Sequence, residues 1–194
     1  SFLFDRLPSG TYQIVETQPA GTFDRNETAG TAGGDVNNTA YSSAAAHNTI
    51  SNINLPAQTA ATGYVFQEVS AASVSGYIYR DLNNNGVREA GETGFAPAEF
   101  ASAPHVRLSG TDYAGNPVNV TANVDASGFY QFTGVAPSGA NTYTVTQLVQ
   151  PNGASDGLDS NGIGDVVAGS GGRVAPEDIV IGTVMPGADL TEPN

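Results

Sequence analysis

The sequence has no cysteine and no lysine, and only six basic residues against nineteen acidic ones. Without Cys there is no disulfide, thiolate metal site or thiol nucleophile. Without Lys there is no Schiff-base chemistry. The formal charge of −13 argues against nucleic acid as a partner, because binding a phosphate backbone needs Lys and Arg to neutralise it. The same charge disfavours docking on anionic lipid. Apolar runs are short, and none approaches the roughly 18 residues needed to span a membrane. Charged residues are 13% of the chain, below the usual share of a soluble domain. Absence of Cys leaves the compartment open, since secreted proteins also rely on metals or on length for stability.

Helical periodicity is nearly absent as well. The best candidate, Tyr41–His47, is a turn or two with no apolar face. Short strand signals bounded by Gly, Pro, Asn and Asp are frequent instead. They are expected at Thr11–Thr17, Thr49–Leu55, Thr62–Val69, Ser73–Tyr79, His105–Ser109, Pro117–Asn123, Gly128–Phe132, Thr142–Leu148 and Asp178–Val184. Val118/Val120/Ala122, Tyr143/Val145 and Tyr64/Phe66 alternate in the two-residue period of a half-buried strand. This pattern predicts an all-β sandwich, not a parallel sheet covered by helices.

An internal repeat organises the chain. Ser1–Phe4, Leu7-Pro8-Ser9-Gly10, Thr11-Tyr12 and Gln18-Pro19-Ala20-Gly21 reappear as Phe129–Phe132, Ala136-Pro137-Ser138-Gly139, Thr142-Tyr143 and Gln150-Pro151-Asn152-Gly153. Some 55 residues from Ser73 precede the second copy. Residues 1–70 therefore read as the C-terminal part of one module, and 71–194 as a second module lacking its closing strand. Ser1-Phe2-Leu3-Phe4 is neither an initiator Met nor a signal sequence. The expectation is a piece of a tandem array, or a subunit completed by neighbouring copies, because uncovered strand edges and apolar faces are unstable alone.

One motif carries specific chemistry. Asp81-Leu82-Asn83-Asn84-Asn85-Gly86-Val87-Arg88-Glu89-Ala90-Gly91-Glu92 satisfies the calcium-loop pattern D-x-[DN]-x-[DN]-G-x5-E at every specified position. Alternate side chains at Asp81, Asn83 and Asn85 converge, Gly86 permits the sharp turn, and the Val87 carbonyl and Glu89 follow. Glu92 closes the shell with two oxygens. Hard oxygen donors with three carboxylates suit Ca²⁺ better than zinc or a redox metal. The flanks do not read as helices, so the loop is expected without a helical hand. A second acidic loop places Asp156, Asp159, Asn161 and Asp165 within ten residues. It lacks a trailing Glu at the right distance, and a cation loop and a solvated turn stand level there. Asp112–Asn116 and Asp125–Gly128 read as hairpin turns. His47 and His105 sit in no nucleophile or zinc motif, and no nucleophile elbow or phosphate-binding Gly loop occurs. The chain is not expected to be an enzyme.

Several of these segments together resemble a known family. Ser75–Asp81 with Asn85-Gly86 and Glu92, Val106–Leu108, Asp125-Ala126-Ser127-Gly128-Phe129-Tyr130-Gln131-Phe132, Tyr143–Val145 and Asp156–Gly162 look like the B-type repeat of serine-aspartate-repeat surface proteins. That family is a branch of the Cna-B-like, prealbumin-like sandwiches of bacterial adhesins. The resemblance covers most of 71–194 and, more weakly, 1–70. It implies Ig-like β-sandwich modules, Ca²⁺ as the stiffening ion, an extracellular location at the cell surface or in a secreted filament, and neighbouring repeats as partners. Two departures stand out. Many Cna-B-like domains carry a Lys–Asn isopeptide promoted by a Glu; Glu16 falls near that acid, but Gln147 replaces it in the other copy and there is no Lys to supply the amine. The connector Ala96–Pro104 is also longer than usual. Two functions follow as expectations: a structural module of an extracellular array rigidified by Ca²⁺ and completed by strand complementation, or a ligand-binding adhesin domain, for which Tyr41, Phe95, Phe100 and Tyr113 are the loop aromatics.

Overall fold

The computed structural model describes residues 2–38, 48–155, 157, 178–181 and 189–191, the last two stretches as backbone. The chain is all-β and divides into two compact units, Ser1–Val69 and Ser70–Asn194. In the first unit β1 (Gly10–Val15) pairs antiparallel with β3 (Thr49–Leu55), and β2 (Thr22–Thr28) lies beside β4 (Val65–Ser70). The β1–β3 register runs from Gly10↔Leu55 to Val15↔Thr49 with a bulge between Tyr12 and Ile14. Ile50, Ile53 and Val69 are its buried apolar residues.

The second unit is a sandwich. One sheet contains β6 (Val106–Thr111), β7 (Pro117–Ala122), β9 (Tyr143–Gln147) and β10 (Asp178–Ile181), in the order β10-β9-β6-β7. The other has β5 (Ala72–Tyr77) between β8 (Phe129–Val135) and β11 (Asp189–Thr191). Strand pairing is antiparallel except β11–β5, which is parallel. Side chains from both sheets fill one core: Val74, Val106, Leu108, Tyr130, Phe132, Tyr143 and Val145 are all buried in it. Tyr143 is fully enclosed, and its hydroxyl donates to the Ala136 carbonyl at 2.7 Å. A buried phenol needs such a partner.

Each expected strand is present: Thr49–Leu55 keeps both ends, the others shift by up to three residues, and 182–184 of the expected Asp178–Val184 lie outside the described residues. Two further strands occur. β2 escapes an alternation test because its inward positions are Asp24 and Glu27, both buried. β11 places Leu190 opposite Val74 at the edge of β5. Tyr41–His47 lies outside the described residues. The connector 96–104 holds a single 3-10 turn, Pro97–Glu99, and its Phe100 is buried in the sandwich core.

Candidate metal centre

The segment 81–92 follows β5 and is closed at its base by a bridge between Tyr79 and Gly94. Within it the alternate side chains turn back on the backbone. Asp81 Oδ1 accepts from the Asn83 N–H at 3.2 Å, Asn83 Oδ1 from the Asn85 N–H at 3.1 Å, and Asn85 Oδ1 from the Val87 N–H at 2.8 Å. Three successive side chains therefore make the same i to i+2 turn. Asp81 Oδ2 also accepts from the Gly86 N–H at 2.7 Å, which draws the loop shut where Gly86 takes a φ of 74°. Asn84 sits in the left-handed region too, at 56°, a conformation Asn tolerates better than most residues.

Glu92 closes the ring from the other end. It is buried, and its two oxygens accept from the Leu82 N–H and the Glu89 N–H, each at 2.9 Å. Glu89 receives the amide groups of Asn83 at 2.8 Å and Asn85 at 3.3 Å. Asp81, Asn83, Asn85, Glu89 and Glu92 thus form one continuous hydrogen-bonded ring. Among the described residues no group of three or more His, Cys, Asp or Glu side chains stands close enough to hold a metal. The carboxylates are spaced round the ring by Asn side chains and backbone N–H groups. The donor set is entirely oxygen, which suits a hard cation; Asn83 and Asn85 turn their carbonyl oxygens to the loop's own backbone.

The stem of the loop is clamped. Arg80 donates to the Gly94 carbonyl at 2.9 Å and to Thr93 Oγ1 at 3.3 Å, pairs with Glu99, and lies 3.9 Å over the Phe95 ring. Arg88 lies 3.9 Å over Tyr77. Glu99 adds the Ala96 N–H at 2.8 Å, and its carbonyl accepts from the Asn152 N–H at 2.7 Å. Behind the stem, Gly94 meets the turn 125–128 so closely that a Cβ on it would stand 1.7 Å from the Ser127 carbonyl oxygen. These clamps were not foreseen; Arg80 and Glu99 are 19 residues apart, joined by no local motif. Beside the loop lies a groove of about 420 Å³ lined by Tyr77, Tyr79, Arg80, Asp81, Phe95 and Pro151.

Of the second acidic loop, Asp156, Asp159, Asn161 and Asp165 lie outside the described residues. Gly157 lies against the first loop, where a Cβ on it would be 3.7 Å from Asn84 Oδ1. Asp112–Asn116 forms the expected hairpin turn between the paired strands β6 and β7, whereas Asp125–Gly128 is not a hairpin: it is a tight turn that crosses from β7 in one sheet to β8 in the other. Asp125 Oδ1 accepts from the Ser127 N–H, the Ser127 hydroxyl and the Phe129 N–H, bonds that hold its carboxyl below the usual range. Asp112 is buried and accepts from the Ala114 and Asn116 N–H groups. His105 is buried against Phe100, ring centres 4.2 Å apart, and its Nδ1 accepts from the Val124 N–H at 3.1 Å. Phe95 and Phe100 belong to the core, Tyr113 is half-buried, and Tyr41 is outside the described residues. Comparison with models of known protein families and with curated proteins finds no match.

Proposed function

We propose that this chain is a structural repeat module of an extracellular bacterial surface protein, a stalk, sheath, surface layer or filament, stiffened by Ca²⁺ in the loop 81–92. The reading rests on one observation: Asp81, Asn83 and Asn85 make the same backbone turn in succession, and Glu92 closes the hydrogen-bonded ring they begin. Asp81, Glu89 and Glu92 would hold the ion with the Asn83 and Asn85 side-chain carbonyls and the Val87 main-chain carbonyl. Bound Ca²⁺ supplies the positive charge that lets three carboxylates share a twelve-residue loop. The chain's own contribution is the stem. Arg80, Phe95 and Glu99 fix where the loop leaves the sandwich, so order gained in the loop passes into the module. The role is mechanical, and no turnover of a substrate is assigned.

Binding to the folded state alone stabilises it by mass action, by about 2.7 kcal/mol when Ca²⁺ exceeds its dissociation constant a hundredfold. Thermal unfolding of the whole chain in millimolar Ca²⁺ and in chelator tests this. The expected result is a midpoint several degrees higher with Ca²⁺, a difference erased by Asp81→Ala combined with Glu92→Ala. Equal midpoints in the two buffers reduce the loop to a turn and leave an assembly held by strand exchange alone. The alternative reading, a ligand-binding domain of an adhesin, has the 420 Å³ groove in its favour. Its tyrosines provide the test: Tyr79→Ala that abolishes binding to a host ligand, with unfolding unchanged, would favour that reading.

A further inference from the structure

The first unit carries a cluster that calcium binding does not use. The β1–β2 connection, Gln18-Pro19-Ala20-Gly21-Thr22, closes as a tight turn, with the Thr22 N–H on the Pro19 carbonyl at 3.4 Å and Gly21 at a φ of 78°. The turn folds the Gln18 side chain back onto Thr22, and Gln18 Nε2 stands 2.7 Å from Thr22 Oγ1. Glu68 reaches the same point from β4. Its Oε2 accepts from the Thr22 hydroxyl at 3.1 Å, a proton within reach of the Pro19 carbonyl at 2.9 Å as well, and also from Gln18 Nε2. Gln18 Oε1 is buried and accepts no hydrogen bond among the described residues. Glu16 stands beside Glu68, its carboxyl raised above the usual range first by burial and then by the Glu68 and Asp24 carboxylates. This corner of the unit favours holding a proton.

A hydroxyl, a carboxamide and a carboxylate are thus held within one hydrogen-bond shell, an arrangement suited to acyl transfer. The carboxamide carbon is one C–N bond, about 1.33 Å, behind the nitrogen that Thr22 already touches. We propose that Thr22 and Gln18 condense into an intramolecular ester. Glu68 takes the Thr22 hydroxyl proton as the Oγ–Cδ bond forms. The Cδ–Nε2 bond then breaks, and the proton returns to Nε2, so that ammonia leaves. Glu68 contacts both the atom that loses the proton and the atom that gains it. The step needs no oxidant, metal or cofactor. The product locks the β1–β2 turn covalently, and it replaces a buried, unpaired amide carbonyl with an ester carbonyl, a weaker acceptor that costs less to bury.

The second copy of the repeat is a built-in control. Its turn Gln150-Pro151-Asn152-Gly153-Ala154 has the same backbone bond, Ala154 N–H to Pro151 carbonyl at 3.1 Å. Ala154 occupies the place of Thr22 and has no hydroxyl, and Gln147 occupies the place of Glu16. There Gln147 Nε2 donates to Gln150 Oε1 at 2.8 Å, a neutral tie with no nucleophile. Only the first copy has the full set.

Mass spectrometry of the 194-residue chain decides the matter. The expected peptide from Leu7 to Arg25 is lighter by about 17 Da, the ammonia lost in acyl transfer, with fragmentation placing the loss between Gln18 and Thr22. Thr22→Ser should retain the loss, Thr22→Val and Glu68→Gln should abolish it, and hydroxylamine should open the link. Gln150 should show none. A wild-type peptide at full mass after prolonged incubation at neutral pH overturns the proposal, and so does a loss that persists in Thr22→Val. Where Thr22→Val fails to fold, the wild-type mass and its fragments still decide.

Discussion

His105 shows how a single side chain can make a module sensitive to acid. Its imidazole is buried, and Nδ1 accepts the Val124 N–H, so the folded state holds the neutral ring. Burial lowers its pKa from the ordinary value near 6.5. A protonated ring would set an N–H against an N–H and lose the bond to Val124. The folded pKa lies below the unfolded one, so the stability from His105 is complete above about pH 6.5 and declines as pH falls through the folded value. Unfolding midpoints measured from pH 7.5 to 5.5 should therefore fall in the wild type. They should fall less in His105→Gln, which keeps an acceptor but does not titrate, with His47 replaced in both proteins. Parallel slopes in the two would show that His105 carries none of the acid sensitivity. Tyr143 gives a second residue-scale expectation. Burial, and then the Asp112 carboxylate, push its hydroxyl up to about 12, so in a spectroscopic titration it should ionise after the exposed tyrosines or only on unfolding. Neither behaviour is visible in the sequence, where His105 is an isolated histidine outside any motif. Its role comes from Phe100 and Val124, brought to it by the fold.

At the scale of elements, the strands and the loop 81–92 were legible for opposite reasons. Strands such as β7 and β9 alternate apolar and polar residues between turn formers, a two-residue period with few rivals. The loop was legible because its oxygen-bearing residues recur at fixed local spacing, and the turns linking Asp81, Asn83 and Asn85 are local as well. β2 was missed because Asp24 and Glu27 occupy its buried positions, which inverts the usual signal. The Thr22–Gln18–Glu68 cluster was missed because Glu68 lies 46 residues from Thr22. The support beneath the loop was hidden for the same reason of distance, and it carries two predictions. Gly94→Ala drives a Cβ into backbone at Ser127, where no side chain can swing aside. It should cost about 1–3 kcal/mol as an overpacked site, read as a lower denaturation midpoint. Arg80→Lys keeps the charge but loses the planar stack on Phe95 and the fork shared by Gly94 and Glu99. It should weaken Ca²⁺ binding by calorimetry while leaving the loop's ligands untouched; unchanged affinity would mean that the stem does not govern the loop.

The whole molecule combines a charge of −13 with an unusual exposed apolar stretch. Phe2, Leu3 and Phe4 are 52%, 85% and 60% exposed. Their counterparts in the repeat, Tyr130 and Phe132 of β8, are each only 4% exposed and lie on a strand paired with β5. One sequence pattern is therefore covered in the second unit and bare in the first. Bare aromatic surface of this kind favours contact with another chain, and the reading of the protein as an array module makes neighbouring copies the partner. Opposing this, like charge on every copy keeps them apart at low ionic strength. Association should therefore strengthen as salt rises from about 0.01 M, where the screening length is long, to about 0.15 M, where it is short. Sedimentation velocity across a concentration series at both salts measures the balance. Phe2→Ser with Phe4→Ser should abolish association without moving the unfolding midpoint, since neither ring contributes to a core. A wild type that sediments as a monomer at about 100 μM, a concentration at which even weak specific contacts of micromolar affinity saturate, removes self-assembly through this surface. The proposed role of the module would then narrow to that of a spacer.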